Sequence, residues 1–330
     1  MRGLLTQPAH LAARSVARTR LERALEKAAP FLRGKGESTA ATIGNEEVHD
    51  FRVALRRLRS WIRAASDLLS DDLPRRARAD LRRFARRAGA ARDAQVEWQW
   101  LSSPDEPFSA PAARAAQWLA RQRHATYEEE RAGLDELARK EWPALAAVIA
   151  AALAAANGAS EAETLGQHLA PVLTSHLASA RRALDRVEHR TQESLIHRAR
   201  IKVKRLRYLV EAVETPTPAL EYALRFLRLL QDAFGEVHDA HVFAERFAPL
   251  LVPQRRGRRA KAGRPALRDL RALRAAVRRH ELAAFRRGLD LLGSPGAERA
   301  WRALERLPAR LMRTRGPRAA AKPGRAVSIT

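Results

Sequence analysis

The sequence predicts an all-α fold of two pseudo-symmetric helical bundles, duplicated four-helix bundles in one body, and three observations carry that prediction. Apolar residues recur at helical spacing along most of the chain, and no stretch alternates apolar and polar residues between turn signals as a strand would. One amphipathic segment also occurs twice: residues 48–65, VHDFRVALRRLRSWIRAA, and residues 196–212, IHRARIKVKRLRYLVEA. At about 100° per residue, His49, Arg52, Arg56, Arg59 and Arg63 share one sector, and Phe51, Leu55, Leu58, Ile62 and Leu69 fall opposite. In the second copy His197, Arg200, Lys204 and Arg207 repeat the charged positions, and Ala199, Val203, Leu206 and Val210 the buried ones. The offset is constant, 197 − 49 = 205 − 57 = 148, so the segment is an internal repeat.

Taken in order, residues 11–32 carry a helical pattern through Leu11, Val16, Leu21, Leu25 and Leu32, broken by the glycine, serine and threonine of 34–44. Asn45 is placed to cap the first repeat helix, with Glu46 and Glu47 in its first turn, and that helix is expected to run to about residue 69. After a turn at 71–74, residues 75–90 form a helix with Leu81 and Phe84 inward, and Gly89 is placed to close or kink it before Asp93. A loop at 104–111, a long helix at 112–137 and a further helix at 142–156 complete the first half. Asn157–Ser160 marks the internal boundary, which assigns 10–156 to the N-terminal half and 161–312 to the C-terminal half. The second half repeats the order: a helix at 165–189, the second repeat helix, a proline turn at 216–218, and a helix from 221 into GEVHDAHVF. There Gly235 and Asp239 match Gly89 and Asp93 at an offset of 146. Residues 253–265 form a basic loop, helices follow at 266–292 and 295–312, and the basic tail 313–330 is expected to be disordered.

The net charge is +25, 62 basic residues against 37 acidic, and the sequence pI is near 11.5. Such an excess, nearly all arginine, suits a polyanionic partner, because the guanidinium fork binds phosphate bidentately and keeps its charge. Cysteine is absent, so thiolate metal sites and disulfides are excluded; a reducing cytoplasm is compatible with this. No segment has the length of a membrane span, and the N-terminus lacks the apolar run of a signal peptide.

HDFRVALRRLR and HRARIKVKRLRY, each followed by a G-x-x-x-D element (GAARDAQV and GEVHDAHV), resemble the duplicated motifs of the CHAD family, the conserved histidine α-helical domain, over roughly residues 10–310. The resemblance implies one CHAD domain of two four-helix bundles with approximate two-fold symmetry. It also implies binding of inorganic polyphosphate in a basic channel between the halves and association with polyphosphate granules in the cytoplasm. Carried over by position, the expected phosphate contacts are His49, Arg52, Arg56, Arg57 and Arg59 with His197, Arg200, Lys204, Arg205 and Arg207; Arg63 extends the first row, and Glu211 stands at the matching place. Arg82 and Arg228, equivalent at the 146 offset, are second-tier candidates. Two departures stand out: Lys204 gives a point charge in place of a fork, and His238 stands where the first copy has Arg92.

The chemistry is sound independently of the resemblance. Polyphosphate offers closely spaced anions with no bases to read, and arginines at helical spacing can meet successive phosphates along one edge. Two such helices face to face would clasp the chain. His49 and His197 are either phosphate partners, whose pKa falls among arginines and rises on binding, or satisfied core residues. Asp93 and Asp239 are expected to cap helices or to hold the arginines, and Trp98, Trp100, Trp118, Trp142 and Trp301 to pack. The sequence thus points to a non-catalytic polyphosphate binder with no cofactor and no metal. Nucleic-acid binding is the alternative, with the 255–264 loop and the tail as weak sites, and phosphate transfer through His49 or His197 is third, since no acidic cluster suited to Mg²⁺ accompanies either histidine.

Overall fold

The computed structural model describes residues 2–33, 44–69, 73–103, 106, 108–155, 163–213, 217–252 and 264–314. The expected breaks at 34–43 and 71–72, the boundary at 157–160, the basic loop 253–263 and the tail from 315 lie outside them. All regular structure among the described residues is helical. The helices are α1 (Arg2–Leu5), α2 (Ala9–Leu32), α3 (Asn45–Ala64), α4 (Ser66–Leu69), α5 (Arg75–Leu101), α6 (Ala110–Ala154), α7 (Leu165–Leu184), α8 (Glu193–Val213), α9 (Pro218–Phe247), α10 (Leu267–Gly293) and α11 (Pro295–Met312), with a 3₁₀ turn at Ala248–Leu251.

Local chemistry fixes several starts. Thr164 and Gln167 form a capping box on α7, while Thr217 and Ser294 accept from the backbone N–H of Leu220 and Ala297 ahead of Pro218 and Pro295, which open α9 and α11. Glu46 and Glu47 do occupy the first turn of α3, but the cap position is Gly44, not Asn45, and no side chain caps it. α3 ends at Ala64, with a short α4 after it. α5 runs unbroken through Gly89, where a closure or kink was expected. α6 is one 45-residue helix across the expected break before Trp142; Pro143 lies inside it. α7 stops at Leu184, short of residue 189.

Packing orders these helices. α2, α3, α5 and α6 touch pairwise in a closed cycle, and α7, α8, α9 and α11 touch in another. α3 packs on α8 and α2 on α7, and the Pro8–Thr164 bridge stitches the start of one cycle to the start of the other. A single apolar cluster runs through both, centred on Phe31, Phe51, Phe84 and Trp142, with ring centroids 5.2–5.4 Å apart. The buried stripe of α2 is made of Ala12, Ala13, Val16, Ala17, Leu21, Ala24, Ala28 and Phe31, whereas Leu11 and Leu25 are exposed, contrary to their expected inward placement.

A second cluster joins the far end of α5 and the start of α6 to the end of α9 and the start of α10 through Leu101, Ala116, Phe243, Phe247 and Leu273. Ion pairs reinforce it: Arg114 meets buried Asp269 at 2.8 Å, and buried Glu97 takes both Arg123 and Arg246. The Arg114–Asp269 and Arg246–Glu97 pairs each join one half to the other. Phe51→Ala should lower stability by about 3–5 kcal/mol, whereas Leu11→Ala should change it by less than about 0.5 kcal/mol; urea denaturation followed by tryptophan fluorescence measures both.

Candidate anion-binding site

The contact between α3 and α8 turns the two cationic rows toward each other. At its centre, Lys204 has Arg56, Arg200, Arg52 and Arg207 as electrostatic neighbours, and burial first, then these four cations, pushes its amine down to about 7. Arg56 lies across from it, lowered to about 10 chiefly by burial and still charged at neutral pH; its guanidinium sits 4.8 Å from the centre of the Tyr208 ring. On one side the crossing opens into a slot of about 170 Å³ between α3, α7 and α8. Arg56, Arg59, Arg63, Lys204 and Arg205 line it with Ser60, His176 and Tyr208, and no carboxylate is among the lining residues. Burial and Arg63 lower Arg205; burial, then Arg63, Arg82 and Arg86, lower Arg59.

On the other side lie the histidines. His49 is lowered by burial first and then by Arg92, Arg52 and Arg56; His197 by burial and then Arg200. The direction is the expected one, but desolvation outweighs the arginine crowding expected to cause it. His197 and His238 rings are 4.5 Å apart, and burial, Arg200 and His197 push His238 down to about 4. Asp93 and Asp239 are not caps, since both lie inside long helices. Asp239 instead sits 3.9 Å from Arg200, and burial raises its pKa against the pull of that arginine.

Several buried polar atoms here have no hydrogen-bond partner: Arg56 Nε, Arg200 Nε, Tyr208 OH, His197 Nδ1 and His238 Nδ1. Buried donors are nearly always paired in folded proteins. Atoms of the same kind also occur elsewhere, at Arg20, Trp142 and His168, but those on or beside the α3–α8 contact lie among cations, where an acceptor-rich anion would pair their N–H and O–H groups.

Not every expected contact shares this cleft. Arg56, Arg59, Arg63, Lys204 and Arg205 line the slot; Arg52 and Arg200 are electrostatic neighbours of Lys204, His49 is one of Arg52 and Arg56, and His197 is one of Arg200 and Lys204. Arg207 adjoins it but is buried and already bonded to Glu211 and to Gln231 at 3.1 Å. Arg57 points to a different groove, beside Arg20, Asp50 and Glu211. Arg82 is exposed on α5 within reach of Arg59, and Arg228 is exposed 3.9 Å from Glu211. Sequence reasoning missed Tyr208 and Ser60, although they occupy equivalent repeat positions (208 − 148 = 60), and His176, which no pattern signals. It also missed Glu193, His241 and Glu245, whose ligand atoms lie within 4.8 Å of one another and could hold a metal ion beside His238. They pair among themselves, His241 Nε2 being 2.7 Å from Glu193 and 3.5 Å from Glu245.

Because the folded-state pKa of Lys204 lies below its unfolded value of 10.5, the unfolded chain binds more protons between about 7 and 10.5. The burden on folding is complete below 7 and is relieved as pH rises through that window. Without polyanion, urea midpoints should therefore rise more between about pH 6.5 and 9.5 in the wild type than in Lys204→Met; parallel curves would show that the ammonium is not burdened.

The fold recurs in solved structures, among them the following two. The first, the CHAD domain from the plant Ricinus communis, is 20% identical with a TM-score of 0.58, over 83% of this chain and 93% of that one. The second, PptA from Streptomyces chartreusis, is 20% identical with a TM-score of 0.62, over 88% of this chain and all of that one. No curated protein matches the sequence. The CHAD domain model matches residues 23–248, more than half of the chain, over helices whose rows of cations have just been placed, and the chain belongs to the CHAD domain family.

Proposed function

We propose that this protein binds inorganic polyphosphate without chemical turnover, in the cationic cleft where α3 meets α8, and that it does so at polyphosphate granules in the cytoplasm. The observation that carries this reading is a buried lysine whose electrostatic neighbours are four arginines, with buried polar atoms that lack hydrogen-bond partners beside it. An anion with several oxygens per repeat would pair those donors, neutralise the crowd and return the proton to Lys204, so binding and relief of repulsion are one event. Family membership supports the same ligand class. Among the described residues no helix is long and apolar enough to cross a membrane.

The geometry favours polyphosphate over nucleic acid. Base recognition needs free aromatic faces or a row of side chains reaching a groove. The one aromatic residue lining the slot, Tyr208, already has guanidinium groups of Arg56 and Arg207 at 4.8 and 4.5 Å from its ring centre. A phosphotransfer role would need His49 or His197 beside a free carboxylate; Asp50, close to His49, is paired with Lys27, and Glu193, close to His197, is engaged by His241.

Arg56→Gln and Arg200→Gln should each weaken binding of long-chain polyphosphate by about 10–100-fold, the worth of a hydrogen bond to a charged group. Arg228→Gln should stay within about twofold, as surface charges do. Binding should tighten as pH falls from about 8 to 6, because Lys204 and the histidines take up protons with the ligand. A flat profile contradicts the titrating role, duplex DNA binding equally well at physiological salt contradicts the ligand assignment, and phosphate released in the presence of Mg²⁺ contradicts the non-catalytic one.

A further inference from the structure

We propose that a polyphosphate chain bound at the crossing of α3 and α8 runs on over α5 and not over α9, the repeat equivalent of α5, with Arg78, Arg82 and Arg86 as an outer row of phosphate contacts. The proposal rests on the polyphosphate-binding reading and adds to it the path of the chain and the length engaged.

α5 packs along α3 and carries arginines of two kinds. Those toward α6 are engaged by acids: Arg83 pairs with Glu141 and, at 3.2 Å, with Asp80, Arg87 lies 2.7 Å from Glu130, and Arg76 lies 4.0 Å from Asp80. Arg78, Arg82 and Arg86 follow one another at intervals of four residues and so share another face. Among the described residues none of these three is paired with a carboxylate. Arg82 and Arg86 are exposed, and both are electrostatic neighbours of Arg59, which lines the slot. The cations of the slot thus continue onto α5 through Arg59. Arg86 also borders the groove between α5 and α6, where Glu136 and Glu141 are held by Lys140 and Arg83.

The second half does not repeat this row. At the offset of 146, Leu224 matches Arg78, Arg228 matches Arg82 and Asp232 matches Arg86. Arg228 lies 3.9 Å from Glu211 and is an electrostatic neighbour of Asp232, which is exposed. A polyanion leaving the crossing over α9 would therefore run against a carboxylate, and over α5 it meets guanidinium groups that lack partners. Residues 78–86 span about 12 Å along the helix at 1.5 Å per residue. Each phosphate met there releases counterions from the chain, so the gain appears both as affinity and as a steeper dependence on salt.

The test titrates the full-length protein with long-chain polyphosphate and with tripolyphosphate, which is too short to cover the crossing and α5 together, at several salt concentrations. The double variant Arg82→Gln/Arg86→Gln should bind the long chain at least about tenfold more weakly, with a salt slope smaller by about 1.5, and should bind tripolyphosphate within about twofold of the wild type. Arg76→Gln, on the face of α5 that is engaged by acids, should change neither ligand by more than about twofold. All three side chains are exposed, so the variants should fold as the wild type does. If Arg56→Gln weakens the long chain and the double variant does not, the path over α5 is overturned and the binding reading stands. If the double variant weakens tripolyphosphate as much as the long chain, the α5 arginines belong to the central site and the outer row is overturned. If the wild type binds neither ligand, the binding reading falls and the path falls with it.

Discussion

The structure depends on one unfavourable contact, the meeting of Arg56 on α3 with Lys204 on α8 at a crossing where the neighbours of both are mainly cations. Like charges brought together and partly stripped of water oppose folding, so the rest of the molecule must hold them in place. It does so with apolar and ionic contacts. The aromatic cluster of Phe31, Phe51, Phe84 and Trp142 fixes α3 on one side. The distant Glu97 and Asp269 pairs fasten the ends of α5 and α6 to α9 and α10. No carboxylate is among the residues that line the slot.

The two repeats are alike in design and differ where the cleft needs asymmetry. Tyr208 stands opposite Ser60, Glu211 opposite Arg63, His238 opposite Arg92, and Lys204 takes the position of Arg56. Glu211 draws Arg207 into an internal pair, so the second row loses a free cation at one end. The change to lysine has the larger consequence. Arginine in this setting remains charged at neutral pH, whereas the amine of Lys204 sits at about 7 and gains or loses its charge with the occupant of the cleft. Charge in the centre of the site is thus conditional on the ligand, and charge at its rim is permanent.

The repeat helices were legible because their pattern is large and occurs twice: Phe51, Leu55, Leu58 and Ile62 are buried as their spacing requires, and so are Ala199, Val203, Leu206 and Val210. Where sequence reasoning went astray, tertiary packing outweighed local signals. Gly89 has weak helix propensity, yet α5 continues through it because residues on both sides of it, Phe84, Ala88, Ala91 and Ala94, stay on one buried face. Leu11 and Leu25 looked like core, but the closely packed face of α2 is mostly alanine, which hydrophobic patterning undervalues. Arg57 and Arg205 occupy the same repeat position beside the equivalent helices α2 and α7, yet Asp50 and Glu211 line the groove of Arg57 near Arg20, whereas no carboxylate lines the slot that holds Arg205 near Arg63. His176 could not be found from sequence, since it reaches the site from a helix with no repeated charge pattern.

Arg56 and Lys204 repel each other across the cleft, and a polyanion would convert this repulsion into binding. A double-mutant cycle in urea with Arg56→Gln, Lys204→Gln and the double variant, at about pH 6 without polyanion and again with saturating polyphosphate, measures this directly. Without ligand each single variant should be more stable than the wild type and the coupling should be repulsive; with polyphosphate both substitutions should be destabilising. An attractive or zero coupling in the unliganded protein would contradict the account.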